Sequence, residues 1–289
     1  NNHNNNNNNI IHNARNCTIV GAGNALLADA VLQSLQQHQH FPLILGGDHS
    51  VAIGSLAAVL THRPDTGILW IDAHADLNTP ATSHTGNMHG MPLGLLVDGV
   101  LDANTARGLP GFQWLFGQQG LGGPRLMPES LVYVGLRDVD LAERHFIRKL
   151  GIKAFTMYDI DHYGIGAVMD QALDHLLGSS SSSSSHNHSR RPLHISYDID
   201  AVDPHLAPAT GTAVRGGLTY REAHFVAERV AQTGNLASAD IVELNPALCG
   251  ATTNNHNHNH NDNDNSDGGT KTVDLALQLI TSMLGKSIL

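Results

Sequence analysis

Six short runs dominated by apolar and β-branched residues punctuate the chain, at 41–45, 67–72, 131–136, 153–157, 193–199 and 238–244. Between and after them come stretches with helical spacing of apolar residues: 25–37, 49–62, 141–150, 166–177, 220–233 and 272–284. This alternation of short apolar runs with helical stretches is the βαβ signature of a parallel sheet covered on both faces. Helices laid over both sides of a sheet provide that cover, and parallel strands need a helical crossover between them. The predicted fold is therefore α/β, a three-layer αβα arrangement with a mostly parallel central sheet. No shift in composition divides the chain and no repeat recurs at a fixed period, so a single domain over 1–289 is expected.

Composition narrows the partners. Of 289 residues, 41% are hydrophobic, enough to fill a sizeable core. Acidic residues outnumber basic ones by 26 to 16, and the formal charge of -10 repels nucleic-acid phosphates and anionic lipid alike. No nucleic-acid or membrane partner is expected, and no apolar run approaches the roughly 20 residues that span a bilayer. Two cysteines, Cys17 and Cys249, suit a reducing compartment better than a disulfide scaffold. Twenty histidines invite a metal hypothesis. Six of them, His3, His186, His188, His256, His258 and His260, fall in low-complexity tracts at 1–9, 179–189 and 252–269. Those tracts lack the apolar residues that would offset ordering, and they read as disordered ends or surface insertions. The chain opens at Asn1 inside such a tract, so an upstream segment is expected to be missing.

In a doubly covered parallel sheet, ligands bind beyond the carboxyl ends of the strands, and three of those ends are unusually polar. Gly46-Gly47-Asp48-His49-Ser50 follows the first run, with His49 at the start of a helix. A Gly-Gly turn with a capping aspartate is ordinary by itself. Trp70-Ile71-Asp72-Ala73-His74-Ala75-Asp76-Leu77-Asn78 spans the end of the second. In an extended chain Asp72, His74 and Asp76 would share one face. Ser196-Tyr197-Asp198-Ile199-Asp200-Ala201-Val202-Asp203-Pro204 spans the end of the fifth, where Asp198 and Asp200 would do the same. A helix cap or a loop would explain either acidic cluster alone, but two on neighbouring strand ends together with His49 point to a site. Ile68 to Ile71, ahead of the first cluster, read as buried, and converging carboxylates at a sheet end repel one another.

A divalent metal removes that conflict. Asp72, Asp76, Asp198 and Asp200 carry the charge that a pair of divalent ions neutralises, and His49 and His74 add about one imidazole per ion. Oxygen-rich ligation of this kind suits Mn²⁺ better than zinc. Two adjacent ions activate water near neutral pH, which makes metal-assisted hydrolysis the implied reaction class.

Further ordered motifs are Thr85-Gly86-Asn87-Met88-His89-Gly90, Gly135-Leu136-Arg137-Asp138-Val139-Asp140, Ala209-Thr210-Gly211-Thr212 and Glu243-Leu244-Asn245-Pro246. With the three strand-end motifs, they resemble the ureohydrolase family, and within it the arginases, from about Asn13 to the C-terminal helix. The resemblance implies an arginase-like αβα fold that hydrolyses L-arginine to L-ornithine and urea. It implies two Mn²⁺ per chain, one on His49, Asp72, Asp76 and Asp198, the other on Asp72, His74, Asp198 and Asp200. A hydroxide between them would attack the guanidinium carbon, oriented by Asp76. Glu243 would pair with the guanidinium, a two-oxygen acceptor opposite a planar fork of donors. His89 would shuttle protons to the departing ornithine. Asn78, Thr85 and Asn87 match positions that bind the α-carboxylate, directly or through water. Asp140 and Glu143 match positions near the ammonium, and Thr212 joins the substrate-binding set. Thr85 stands where the family usually has serine; the hydroxyl is kept and the added methyl stiffens its rotamer.

An agmatinase or another guanidino-acid hydrolase would keep the metal residues and change the loop after Asp76. The Asn78, Thr85 to Asn87, Asp140 and Glu143 elements favour a substrate that carries an α-carboxylate. A catalytically silent metal-binding relative and a His-rich metal store are rivals of other classes. All six metal positions, His89 and Glu243 are present, which speaks against a decayed site. The resemblance also implies a homotrimer with contacts through 270–289 and a first sheet strand upstream of Asn1. It implies a cytoplasmic compartment, with a mitochondrial one left open.

Overall fold

The computed structural model describes residues 13–117, 120–123, 125–178, 191–249 and 268–287. At its centre lie six strands: β1 (Leu43–Leu45), β2 (Gly67–Ile71), β3 (Leu131–Leu136), β4 (Lys153–Thr156), β5 (Leu193–Asp198) and β6 (Leu236–Val242). They form one sheet in the order β1-β6-β5-β2-β3-β4, and every pairing is parallel. The longer helices are α1 (Cys17–Gln33), α2 (Ala52–His62), α3 (Leu141–Leu150), α4 (Met157–Leu177), α5 (Tyr220–Thr233) and α6 (Gly268–Met283).

β2 and β3 show why their runs carry no alternation. Leu69, Ile71, Val132 and Val134 pack with Leu173 and Leu176 of α4, Val226 and Val230 of α5, and Leu275 and Leu279 of α6. Ile68, Trp70, Leu131 and Tyr133 belong to the opposite layer, with Ile53 and Leu56 of α2 and the short turn Pro92–Leu96. Each face of each strand meets apolar atoms, and burying one such Leu or Ile side chain contributes roughly 1.5–3 kcal/mol. Along β2 the acidic residues accordingly begin only beyond the strand end, at Asp72.

Several boundaries differ from the sequence expectation for local reasons. β1 begins at Leu43 rather than 41, because Pro42 has no amide for the ladder; its carbonyl still accepts from Ala239 N at 3.0 Å. α4 begins at Met157, ahead of the expected 166, because Thr156 and Asp159 cap it. Gly164, at φ 79°, then interrupts its helical geometry. α1 begins at Cys17 rather than 25 and continues through a wider turn to His38. Cys17–His38 is 22 residues, long and apolar enough to cross a bilayer by length and composition alone, which a count of uninterrupted apolar residues passes over. Here α1 packs along α2, and Gly54 N donates to Asn24 Oδ1 at 2.6 Å.

The tract expected over 252–269 is shorter than its composition suggests. Gly268 and Gly269 open α6, and Gly269 is buried in register with Thr272, Ala276 and Leu279. The remainder of that tract, the other two tracts and their six histidines lie outside the described residues.

Candidate metal centre and substrate cavity

Because all the strands are parallel, their carboxyl ends share one edge, and the six expected metal ligands collect there. His49 opens a 3-10 turn beyond β1, behind Asp48, whose carboxylate accepts from Ser50 N at 3.1 Å. Asp198 ends β5. The shared extended faces expected for the two acidic clusters are not what brings them together. β2 ends at Ile71, the chain bends at once, and Asp76 takes φ 49°, a left-handed conformation that costs a non-glycine residue on the order of 1 kcal/mol. Asp200 lies in a 3-10 turn, Ile199–Ala201. A straight strand would carry His74 and Asp76 away from the sheet, whereas the bends fold them back over it.

Neighbouring loops hold those bends. Ala73 O accepts from Arg137 N at 2.9 Å and Asp138 N at 3.0 Å. The Arg137 guanidinium reaches the carbonyl oxygens of Asp200 (2.6 Å), Ala201 (3.2 Å) and Val214 (2.7 Å). Gly135, at φ 100°, lies so close to Asp72 that a Cβ there would sit 3.2 Å from its carbonyl oxygen.

The ligand atoms form two adjoining groups. His49 Nδ1 lies 3.1 Å from Asp72 Oδ2, 3.0 Å from Asp76 Oδ2 and 3.2 Å from Asp198 Oδ2. His74 Nδ1 lies 3.1 Å from Asp200 Oδ2 and 3.4 Å from Asp72 Oδ1. Asp72 thus offers one oxygen to each group. Ligands at about 2.1 Å from a six-coordinate cation are themselves about 3 Å apart, so these spacings suit a shared divalent ion. His49 Nδ1 is buried without a hydrogen-bond partner among the described residues. Burial pushes the Asp198 carboxyl well above the ordinary range and Asp76 up to about 6, with neighbouring carboxylate charge adding to both. The group is therefore strained by its own charge, and the residues present fit a divalent metal.

Two supports of this cluster lay unassigned within the sequence motifs. Ser196 Oγ is 2.9 Å from His49 Nε2, and the His49 ring stacks on Trp70 with centroids 4.0 Å apart and planes 6° apart. Trp70 Nε1 donates to Asp72 Oδ2 at 2.9 Å. Each stands two positions before an aspartate of the cluster, a period-two signal present in the sequence.

Beside the ligands opens a cavity of about 200 Å³. His89, Glu243, Asn78, Thr85, Asp140, Glu143 and Thr212 all line it, together with His74, Asp76 and Asp198. Asn87 stands outside its wall, and its backbone N donates to Thr85 Oγ1 at 3.1 Å. Ser83, His84 and Asp138 also line it; no spacing in the sequence distinguishes them from loop residues.

Within the cavity His89 Nδ1 lies 3.1 Å from Glu243 Oε1, and the same oxygen accepts from His49 N at 2.7 Å. Glu243 is held at φ 61° directly after β6, its own N donating to Gly47 O at 2.9 Å. The hydrogen bond to Glu243 raises the His89 pKa. Burial works against the Glu243 charge, but the hydrogen bonds from His89 and His49 N outweigh it and hold the carboxyl below its ordinary range. Asn78 Nδ2 donates to Asp140 Oδ2 at 2.9 Å, and Thr212 Oγ1 to Asp200 Oδ2 at 3.0 Å. Both Glu143 oxygens accept backbone N–H groups, from Leu77 and Asp140, each at 2.9 Å. Glu143 thus ties the loop after Asp76 to the start of α3, and burial pushes its carboxyl up to about 7.

A family model described as "Arginase family" matches residues 8–285. The arginase of Eremothecium gossypii is 44% identical over 239 residues, which cover 83% of this chain and 55% of that protein, so the chain spans about half the length of that relative. The crystal structure of the Bacillus cereus arginase is 35% identical with TM-score 0.75, covering 96% of this chain and 81% of that one. The Entamoeba histolytica arginase in complex with L-ornithine is 27% identical with TM-score 0.74, covering 95% of this chain and 79% of that one. The likeness extends across the whole sheet and both acidic strand ends rather than over one motif, and the chain belongs to the arginase family.

Proposed function

We propose that this chain hydrolyses L-arginine to L-ornithine and urea. The observation that carries the reading is the contact between His89 and Glu243 within the cavity that His74, Asp76 and Asp198 also line. Two Mn²⁺ ions are the proposed cofactors, on His49, Asp72, Asp76 and Asp198 and on Asp72, His74, Asp198 and Asp200. When bound, they supply the Lewis acidity that makes water nucleophilic near neutral pH.

The remaining roles follow from the side chains. Glu243, held ionised by its hydrogen bonds, is a planar acceptor for a guanidinium cation. His89, with its pKa raised, carries a proton that the departing amine needs. Asp76 orients the attacking water. Asn78 and the Thr85 hydroxyl offer donors to the α-carboxylate, with Asn87 acting from behind through Thr85. Asp140 attracts the α-ammonium, while Glu143 acts by holding Asp140 and Leu77 in place. Thr212 steadies Asp200 at the edge of the same cavity. L-ornithine, the ligand in the Entamoeba structure, has the α-carboxylate and α-ammonium that this set would bind.

The same reading carries a single catalytic domain, a homotrimer with contacts through 270–289, no nucleic-acid or membrane partner and a cytoplasmic or mitochondrial compartment. A urea-release assay with Mn²⁺ across L-arginine, agmatine and guanidinobutyrate, with Asp200→Ala as control, tests the activity. L-arginine is expected to be turned over much the fastest; equal or reversed rates overturn the reading.

A further inference from the structure

The loop that carries Thr85 has no regular secondary structure, so its placement depends on partners outside it. Those partners come from the segment just ahead of α1. Asn13 Nδ2 donates to Ser83 O, and Arg15 N donates to Gly86 O at 2.7 Å. Inside the loop Gly86 N donates to Ser83 Oγ at 3.0 Å. Gly86 has φ 74°, and a Cβ there would lie 2.8 Å from the Asn13 carbonyl oxygen and 2.9 Å from its Oδ1. Asn13 therefore fills the space a side chain at 86 would need, and glycine is required both for the turn and for the close approach.

The bracing segment is itself anchored to the metal side of the molecule. After Asn16, left-handed at φ 55°, the chain enters α1, and α1 is joined to α2 through Asn24 and Gly54. A Cβ on Gly54 would meet the Asn24 carbonyl oxygen at 2.6 Å, so the two helices touch backbone to backbone. α2 in turn follows the turn that His49 opens. A continuous path of close contacts thus links a metal-ligand turn to the loop bearing Thr85.

We propose that Asn13 is a positioning residue for recognition of the substrate's α-carboxylate, acting through Ser83 and Gly86 on the hydroxyl of Thr85. Asn13 is not part of the cavity wall. The inference rests on the L-arginine reading, in which Thr85 and Asn87 serve the α-carboxylate. Agmatine keeps the guanidinium and lacks that carboxylate, so a displaced loop penalises L-arginine alone.

The test is steady-state kinetics of the manganese-loaded protein and its Asn13→Ala, Asn13→Asp and Thr85→Ala variants on L-arginine, with thermal melts alongside. Agmatine is read as a second substrate, or as a competitive inhibitor of L-arginine hydrolysis where its turnover is slow. Asn13→Ala is expected to raise KM for L-arginine about tenfold, the effect of one lost hydrogen-bonded constraint. It should leave kcat and the agmatine constant within about twofold. Asn13→Asp keeps Oδ1, loses the donor to Ser83 and moves the same way; it carries the comparison if Asn13→Ala fails to fold. An unchanged KM in the Asn13 variants beside a raised KM in Thr85→Ala overturns the inference and leaves the reading of the cavity standing. If KM is unchanged in all three, that reading fails and the inference with it. Equal losses on L-arginine and agmatine, or a fall in kcat alone, mark general damage and also overturn it.

Discussion

Ser196 Oγ lies 2.9 Å from Nε2 of His49, the ring nitrogen opposite the one that faces Asp72, Asp76 and Asp198. The hydroxyl thereby selects which nitrogen is free to ligate, while stacking on Trp70 sets the ring plane. Ser196→Ala removes the first control and keeps the second. It should weaken manganese binding by about 10–100-fold with little loss of folding stability. Metal titration of the variant decides this, and an unchanged affinity would show that Trp70 alone suffices.

Asp72, Asp198 and Asp200 are almost wholly buried, so their charges depend on a counter-cation. Chelation is expected to abolish urea release and lower the melting temperature, and Mn²⁺ to restore both. A ligand at a thousandfold excess over its Kd stabilises the folded state by about 4 kcal/mol. Elemental analysis of the reloaded protein should return two ions per chain, unchanged when 252–267 are deleted. A stoichiometry that fell with the deleted histidines would instead favour metal storage.

The pH dependence of the His89–Glu243 pair has a definite sign. The imidazole pKa is raised, chiefly by its hydrogen bond to Glu243 with burial opposing, so the folded state holds the proton more tightly than the unfolded chain does. The stabilisation from the pair is full below the pKa of unfolded histidine and is lost as pH rises through the folded value. Glu243→Gln removes the charge and should lower the His89 midpoint in a histidine NMR titration. A midpoint that stays or rises would contradict the pairing.

Gly94 lies against the loop after Asp76, and a Cβ there would sit 1.9 Å from Asn78 O. Leu93 N and Gly94 N also donate to Asp76 O, at 3.0 and 3.3 Å. Gly94→Ala must push Asn78 aside. It is expected to destabilise the fold by about 1–3 kcal/mol and to raise KM for L-arginine. Denaturant melts and kinetics on the same preparation check both; a variant with native stability and KM would show that the loop yields without cost.

Much of the fold is legible in the sequence because its causes are local. Runs such as Leu131–Leu136 are apolar throughout, which only burial on both faces accommodates, and α3 and α5 fall on their expected spans because Gly151 and Gly234 end them in left-handed caps. The nature of the metal residues is legible for a similar reason: acidic and imidazole groups clustered beyond apolar strands imply a cation, whatever the exact turn. Ser196 and Trp70 were within reach of the same period-two argument. Asn13 was not, since its partners lie some seventy residues away in a loop without a pattern.

What the sequence by itself determined is therefore the class of fold and the chemical character of the site, both consequences of residue type and short spacing. Only the tertiary structure decided that β1 lies beside β6, that β2 lies between β5 and β3, and that Asp76 and Glu243 turn inward through left-handed backbone. It also decided that His49 and Asp198, far apart in the chain, come within 3.2 Å. Those distances depend on which buried surfaces pack together across the sheet, a property of the whole core that no local stretch of sequence carries.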